Sequence, residues 1–550
     1  MQTHTQILIV GAGPVGLALA GDLAQRGTPC WLVERTDGAI TQPKMDMVGI
    51  RTMEFARRWG IADWVRNSPY PRDYPQDNVY LESLTGFEFG REVVPSKDAE
   101  PLPLQSPEKR ERCPQDMFDP IMQRFVRQHS EVTTKYRTLV TAVKEFPDKV
   151  VASLRDLETN EDYEVSCDYL VGTDGGASFV REQIGIGMVG KPVLTHTVNI
   201  IFRSAELPKL HDKGLAYRFI FIGPEGTWLT IVAINGKDRW RMSIVGDDQK
   251  REYSEAEIHD LIVRAVGCEF QYEIESVMPW VRRELIAEQY GTKRVFIAGD
   301  AAHLMSPTGG FGMNTGMGDA VDLSWKLNGA LAGWGGPELL ASYEAERKPV
   351  AAHNIAESSG NLKLMLEPRK TPPPAEIFMP GAEHDEARAR YGKWYGDMMK
   401  REWYTIGIHM GYIYANSPVI VPDGSPVPEQ ETARYVQTST PGARAPHVWL
   451  KDGRSTLDLF GNGFVLLRLG ADAPDVTPFV EAATRAGLPL SVVSIDEPAV
   501  IEAYERKLVL VRPDGHSCWR GDELPADAAY VIDVVRGAGR QRAQSASAAA

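Results

Sequence analysis

Short apolar runs and helical periodicity alternate at both ends of the chain. Ile7–Val10 is an unbroken apolar run of strand length, followed by a helical stretch, LALAGDLAQRG, and a second run, Cys30–Val33. Runs without polar alternation suit strands buried on both faces, so the order strand, helix, strand predicts a parallel α/β unit. Ile50 to Gly60 carries Met53, Phe55, Ala56 and Trp59 on an amphipathic helix that Gly60 stops. Tyr169–Val171 and Val295–Ile297 repeat the buried-strand pattern. Between Lys191 and Glu288 the period changes to two, in TVNIIFRS, AYRFIFIG, TWLTIVAI and RWRMSIVG. Turn sequences at Gly223-Pro-Glu-Gly and Asn235-Gly separate these runs and predict an antiparallel sheet. From about Pro441 strand and helix patterns alternate again, through GFVLLRLG, TPFVEAATRAG, LSVVSI, KLVLVRP and YVIDVV.

Composition narrows the function classes. With 550 residues the chain exceeds one ordinary core, and 43% hydrophobic with 24% charged residues reads as globular. A net charge of −14 without a dense Lys/Arg run argues against a nucleic-acid surface. No apolar run approaches membrane-spanning length, and Ile7–Val10 is too short for a signal peptide, so no membrane association is expected. Five scattered cysteines form neither a CxxC pair nor metal-ligand spacing. They fit a reducing cytoplasm, and no metal site is expected.

Two glycine-rich segments carry candidate chemistry. Gly11-Ala-Gly13-Pro14-Val15-Gly16 follows the first strand, and Glu34 ends the second at about the offset of a dinucleotide-binding βαβ unit. Gly11 makes the tight turn, Gly13 admits a pyrophosphate and Gly16 lets helix and strand pack. Glu34 is placed to bond the adenosine ribose, with Pro14, Val15 and Arg35 as further contacts. The motif alone does not separate FAD from NAD. The second segment, RVFIAGDAAHLMSPTGGFGMNTGMG, puts Asp300 just beyond a strand end, then a loop from Pro307 through Gly310 to Gly312, then a helix expected to begin near Met313 or Asn314. An acid and an amide-lined helix start suit a polyol arm and a ring that becomes anionic, as reduced flavin does.

GDAAH followed by P-x-GGFGMN-x-G resembles the flavin-binding segment of the FAD-dependent aromatic hydroxylases, the single-component flavin monooxygenases. VGTDGGASFVR, with Asp174, resembles the Asp-Gly fingerprint of that family, and CPQDMFDPIM, with Gln115, its flavin-contacting helix start. The resemblance covers Ile7 to about Arg347. It implies that Asp300 bonds the ribityl chain, that the 307–314 segment holds the ring, and that Lys44, where many members carry Arg, lies beside FAD. Asp46, five residues before Arg51, resembles the acid of the phenol hydroxylase branch that helps deprotonate substrate. The antiparallel sheet would roof the active site, with Tyr217, Phe219, Phe221, Trp228 and Arg241 as candidate substrate contacts and Pro307 beneath. Asp46 relayed through Tyr217 is the expected general base.

The fold class that follows is mixed α/β with α+β elements. A Rossmann-like FAD-binding domain is expected from residues 1–188 and 289–366, and an antiparallel substrate domain from 189–288. A helical linker region follows at 367–440, opened by the proline-rich Glu367–Pro374. Its aromatic stretch, Lys393–Tyr414, is expected near the active-site mouth or a dimer partner. Residues 441–537 resemble the thioredoxin-like appendix of phenol hydroxylase relatives, although the lone Cys518 cannot form a dithiol, and 538–550 should be disordered. The implied activity is hydroxylation of a phenol by a cytoplasmic homodimer. NAD(P)H, bound transiently because there is no second GxGxxG, reduces FAD; O₂ adds to give a flavin C4a-hydroperoxide, which oxygenates the ring. A tailoring hydroxylase or epoxidase of polycyclic aromatic metabolites and a non-catalytic flavoprotein are the alternatives. A halogenase is disfavoured because its Trp-x-Trp-x-Ile-Pro motif is missing.

Overall fold

In a computed structural model, which describes residues 3–40, 42–247 and 249–539, the chain builds three main sheets. The tail expected to be disordered lies, from residue 540 on, outside the described residues. In the first sheet Val132–Lys135, Cys30–Val33, Thr3–Val10 and Asp162–Gly172 run parallel in that order. The long strand Asp162–Gly172 then divides its far edge. Its first half pairs antiparallel with Val150–Asp156 and its last residues pair parallel with Val295–Ile297. Ile7, Leu8, Ile9, Leu32, Val171 and Ile297 are fully buried there, as their unbroken apolar runs require. Helices Pro14–Gln25 and Phe311–Leu331 pack against each other beside this sheet.

The second sheet has eight strands and is antiparallel throughout its centre. Its order is His303–Leu304, Glu273–Ala287, Met188–Arg203, Arg239–Asp247, Gly226–Ala233, Arg218–Gly223, Asn78–Leu81 and Glu88–Glu92. The last two strands come from the N-terminal stretch, and Asn78–Leu81 joins Arg218–Gly223 in parallel. The predicted turns are present: Gly226 takes φ 89°, and Asn235 Oδ1 accepts the amides of Lys237, Asp238 and Arg239.

Two expectations need correction. Glu367–Pro374 does not begin as a linker, because residues 337–370 form one helix, Pro337–Lys370, with Pro349 and Pro368 inside it. An interior proline costs about 3 kcal/mol, and here tertiary anchoring offsets it. Arg369 in the last turn donates to the carbonyls of Thr227, Val245 and Gly246 on the second sheet. The helix after the 307–312 loop starts at Phe311, not at Met313 or Asn314, because Gly310 at φ 70° already supplies the turn.

The C-terminal sheet, ordered Leu490–Ile495, Phe464–Leu469, Leu508–Val511 and Ser517–Gly521, docks through buried ion pairs. Arg444 donates to Glu54 at 2.9 Å, and Arg512 to Glu346 at 2.5 Å. Arg512 and Lys326 together hold the carboxylates of Asp322, Glu346 and Asp514, so this acid cluster is matched by protein cations. No helix among the described residues is long and apolar enough to cross a membrane.

Candidate active site

The glycines of the first motif divide into those that face protein and those that face space. A Cβ at Gly11, where φ is 105°, would lie 2.6 Å from the Thr173 carbonyl oxygen, and one at Gly16 would strike Gly11. These two allow close backbone packing. A Cβ at Gly13 would meet nothing within 4 Å. Gly13, Pro14 and Val15 line a cavity of about 920 Å³ that also reaches Thr173 and Gly175. Glu34 accepts the Ala12 amide at 2.9 Å and the Thr36 amide and hydroxyl, which fixes its carboxylate at the loop. Arg35 is exposed and lies off the cavity wall.

The second motif closes the same cavity. Val295–Ile297 delivers Gly299 at φ 62°, packed on Val15, and Asp300 then points into the open space. Among the described residues nothing hydrogen-bonds its carboxylate, which is exposed to the cavity, and desolvation by the surrounding walls raises its pKa against the pull of His303 and Lys44. His303 itself is structural: its Nε2 meets Asp319 at 2.7 Å, and Asp319 also takes the Gly299 amide and Arg347. Pro307, Gly310, Gly312 and Met313 line the cavity, and a Cβ on Gly310 would enter empty space.

Some expected contacts are used differently. Asn314 is engaged by the protein: its Oδ1 accepts from the Gly49 amide and the Thr52 hydroxyl, both at 2.8 Å. It ties the helix start to the segment after Asp46. Asp174 accepts from the Ser178 hydroxyl and the Val180 amide, capping the helix Phe179–Gln183, while Thr173 and Gly175 reach the cavity instead. Gln115 opens the helix Gln115–Arg127 and accepts the Lys44 amide at 3.0 Å; both residues line the cavity. The Lys44 ammonium lies 5.6 Å from the Trp280 ring centroid.

At the sheet end Asp46 is surrounded by Tyr217, Arg241 and Arg112. The Tyr217 hydroxyl donates to Asp46 at 2.9 Å, and Arg241 forms a short ion pair with the same carboxylate. The Arg112 guanidinium stacks 3.4 Å from the Tyr217 ring centroid and donates to Gln76. Burial alone would raise the Asp46 pKa, but Arg241 and Arg112 bring it below the usual carboxylate range. Burial, reinforced by Asp46, pushes the Tyr217 phenol up to about 12. The pair is therefore an ionised carboxylate and a neutral phenol.

Phe219 and Trp228 do not reach this cavity. Phe219, at 1% exposure, and Trp228, at 6%, belong to the core on the opposite face of the sheet. Strand alternation puts Phe219 and Phe221 there, and a register shift opposite Phe221 turns Trp228 to the same side. Tyr217 escapes that parity because it precedes the strand Arg218–Gly223. The cavity face carries the polar alternates Asn199, Arg218, Thr230, Ser243 and Arg282, which sequence reasoning passed over. Their signal was available, since the polar positions of a period-two strand share one face. Trp403, Thr405 and His409 of the aromatic C-terminal stretch line the same cavity, one of the two placements expected for that stretch.

The residues fit a flavin dinucleotide. Four glycines whose side-chain positions open onto empty or nearly empty space, a carboxylate free of protein partners and a helix start converge on one cavity. The sequence family described as FAD binding domain matches residues 4–358, and the one described as aromatic-ring hydroxylase, C-terminal, matches residues 438–538. The chain is 32% identical to 2,4-dichlorophenol 6-monooxygenase of Delftia acidovorans, covering 96% of this chain and 98% of that one. It is also 32% identical to aklavinone 12-hydroxylase RdmE of Streptomyces purpurascens, over 97% and 99% of the two chains. The solved structure of chromopyrrolic acid-soaked RebC with bound 7-carboxy-K252c superposes with a TM-score of 0.90 at 36% identity, covering 98% of this chain and all of that one. Fold, cavity and kinship agree that the chain belongs to the FAD-dependent aromatic-ring hydroxylases, flavin monooxygenases that act on aromatic substrates.

Proposed function

We propose that the protein hydroxylates a phenolic ring, taking electrons from transiently bound NAD(P)H and an oxygen atom from O₂. Bound FAD supplies the redox chemistry and oxygen activation. Asp300, Gly13, Gly310 and the start of the helix Phe311–Leu331 would hold it, with Lys44 and Gln115 alongside.

The observation that carries the reading is the Asp46–Tyr217 hydrogen bond on the wall of the cofactor cavity. A phenol ordinarily ionises near pKa 10, far above a carboxylate held below its usual range, so Asp46 alone is a poor final acceptor for the proton of the substrate. Arg241 and Arg112 change the balance by favouring the phenolate. In this scheme the substrate hydroxyl gives its proton to the Tyr217 oxygen while the Tyr217 hydroxyl passes its own proton to Asp46, the acceptor of the relay. The two guanidiniums stabilise the negative charge, and the enclosing sheet excludes water.

The cavity of about 920 Å³ has to hold FAD as well as the substrate, and a relative named for aklavinone together with a solved structure holding 7-carboxy-K252c supports a polycyclic phenol. The test is NAD(P)H oxidation by FAD-loaded enzyme with monocyclic and polycyclic phenols, with product identification. Phenol-stimulated oxidation and a product carrying one added oxygen are expected. Oxidation that no phenol stimulates, with no oxygenated product, would leave only a non-catalytic flavoprotein.

A further inference from the structure

The cavity wall contains a cation without a counter-ion. Arg282, on the strand Glu273–Ala287, is 7% exposed, and its Nη1 is buried without a hydrogen-bond partner. Among the described residues no carboxylate lies within ion-pair distance of it. The nearby acid, Glu402, is engaged by Arg218 at 2.9 Å, and Arg369 adds a third positive charge to the same neighbourhood. Burial, then Arg218, pushes the Arg282 pKa down to about 10, so the side chain is still charged at neutral pH.

An unmatched buried guanidinium is costly, and water filling the cavity would solvate the charge without neutralising it. Among the described residues the hydroxyl Thr197 Oγ1, a potential donor facing the same cavity, is also without a partner, as are the acceptors Asn78 Oδ1 and Glu402 Oε2. A planar guanidinium matches a planar anion through paired N–H···O bonds, a geometry an ammonium cannot supply. We propose that Arg282 is the anchor for a carboxylate carried by the aromatic substrate, making this enzyme selective for hydroxylated aromatic acids. The assignment rests on the hydroxylase reading above, because it concerns a group on the same substrate.

The test uses FAD-loaded enzyme and a matched pair of probes, 3-hydroxy-2-naphthoate and its methyl ester, with Kd read from the perturbation of flavin absorbance. Wild type should bind the acid at least 30-fold more tightly than the ester. Arg282→Gln should lose that preference, weakening the acid at least 30-fold and the ester less than threefold, while Arg282→Lys keeps an intermediate affinity for the acid. Without ligand, Arg282→Gln should raise Tm, because it deletes an uncompensated buried charge. Equal weakening of acid and ester, a lowered Tm, or no binding of either probe to wild type at millimolar concentration would overturn the assignment. Binding of the acid through Arg282 without any hydroxylation would keep the anion site and sink the hydroxylase reading. Equal affinity for both probes with hydroxylation of both would do the reverse.

Discussion

Tyr217 and Asp46 stand 171 residues apart in sequence and share one hydrogen bond of 2.9 Å, with Arg241 paired to the same carboxylate oxygen. The relationship makes the phenol a neutral, oriented donor and leaves its oxygen able to accept a second hydrogen bond from the cavity side. Removing either partner should have the same signature. Asp46→Asn and Tyr217→Phe are expected to lower kcat by about 10²-fold or more at neutral pH, the usual scale for a lost acid–base group. They should also expose the ionisation of the substrate itself: their rates should climb with pH toward the phenol pKa near 10, where solution already supplies the phenolate. Wild type should be flatter across that range. Steady-state pH profiles decide this, and a variant whose profile parallels wild type would remove the residue from proton handling.

How far the sequence revealed this site depends on which signal each residue carried. The glycine loops and Asp300 stood out because close approach or a positive φ calls for glycine at several of those positions and an acid follows a strand end. Asp46 and Tyr217 were found together, but Arg112 was hidden in a loop-like context where an arginine looks solvated. Phe219 and Trp228 were misplaced because aromatic character was weighed above alternation. On strands with one face in the core, the large apolar residues mark that face and the polar ones mark the other. The helix through Pro368 was illegible because its anchors, three carbonyls on the second sheet, are remote in sequence.

That distinction between faces predicts a separation of stability from function. Trp228 lies 5.9 Å from Phe221, centroid to centroid, with the Arg264 guanidinium 4.0 Å over its ring. Trp228→Ala should destabilise the protein by about 3–5 kcal/mol in denaturant unfolding, as large buried aromatics do. Substrate KM, measured at low temperature where the variant stays folded, should change less than twofold. A large KM effect with little loss of stability would place Trp228 at the substrate after all.

The two classes of glycine should behave differently when given a side chain. Gly13 has φ −72° and caps the helix Pro14–Gln25, a position where Asp is favourable. Gly13→Asp should therefore keep or slightly raise the Tm of the FAD-free protein, while its side chain and charge weaken FAD binding by at least 100-fold. Gly11→Ala meets the Thr173 carbonyl at 2.6 Å with φ at 105°, so it should lower the Tm of the FAD-free protein as well. FAD titration and thermal unfolding of both variants make the comparison, and a Gly13→Asp protein that retains FAD as wild type does would place the dinucleotide elsewhere.

The docking of the C-terminal sheet predicts a pH-dependent stability with a definite sign. Glu54 is held by Arg444 and Arg51 and takes the Ser106 hydroxyl, all within a buried seam. Burial opposes its ionisation, but the two guanidiniums dominate and bring its pKa down to about 2. Because the folded value lies below the unfolded one, near 4.3, the contribution is complete above about pH 4.3 and is lost as pH falls toward 2. Glu54→Gln leaves Arg444 and Arg51 buried with a weakened partner, and such losses cost about 3–5 kcal/mol at neutral pH. The variant should accordingly be less stable than wild type at pH 7, with the gap closing as pH drops from 4.3 toward 2. Denaturant unfolding at pH 7, 4 and 3 reads it directly. A gap that stays constant with pH would mean that Glu54 acts by shape alone and that its charge does not hold the C-terminal sheet in place.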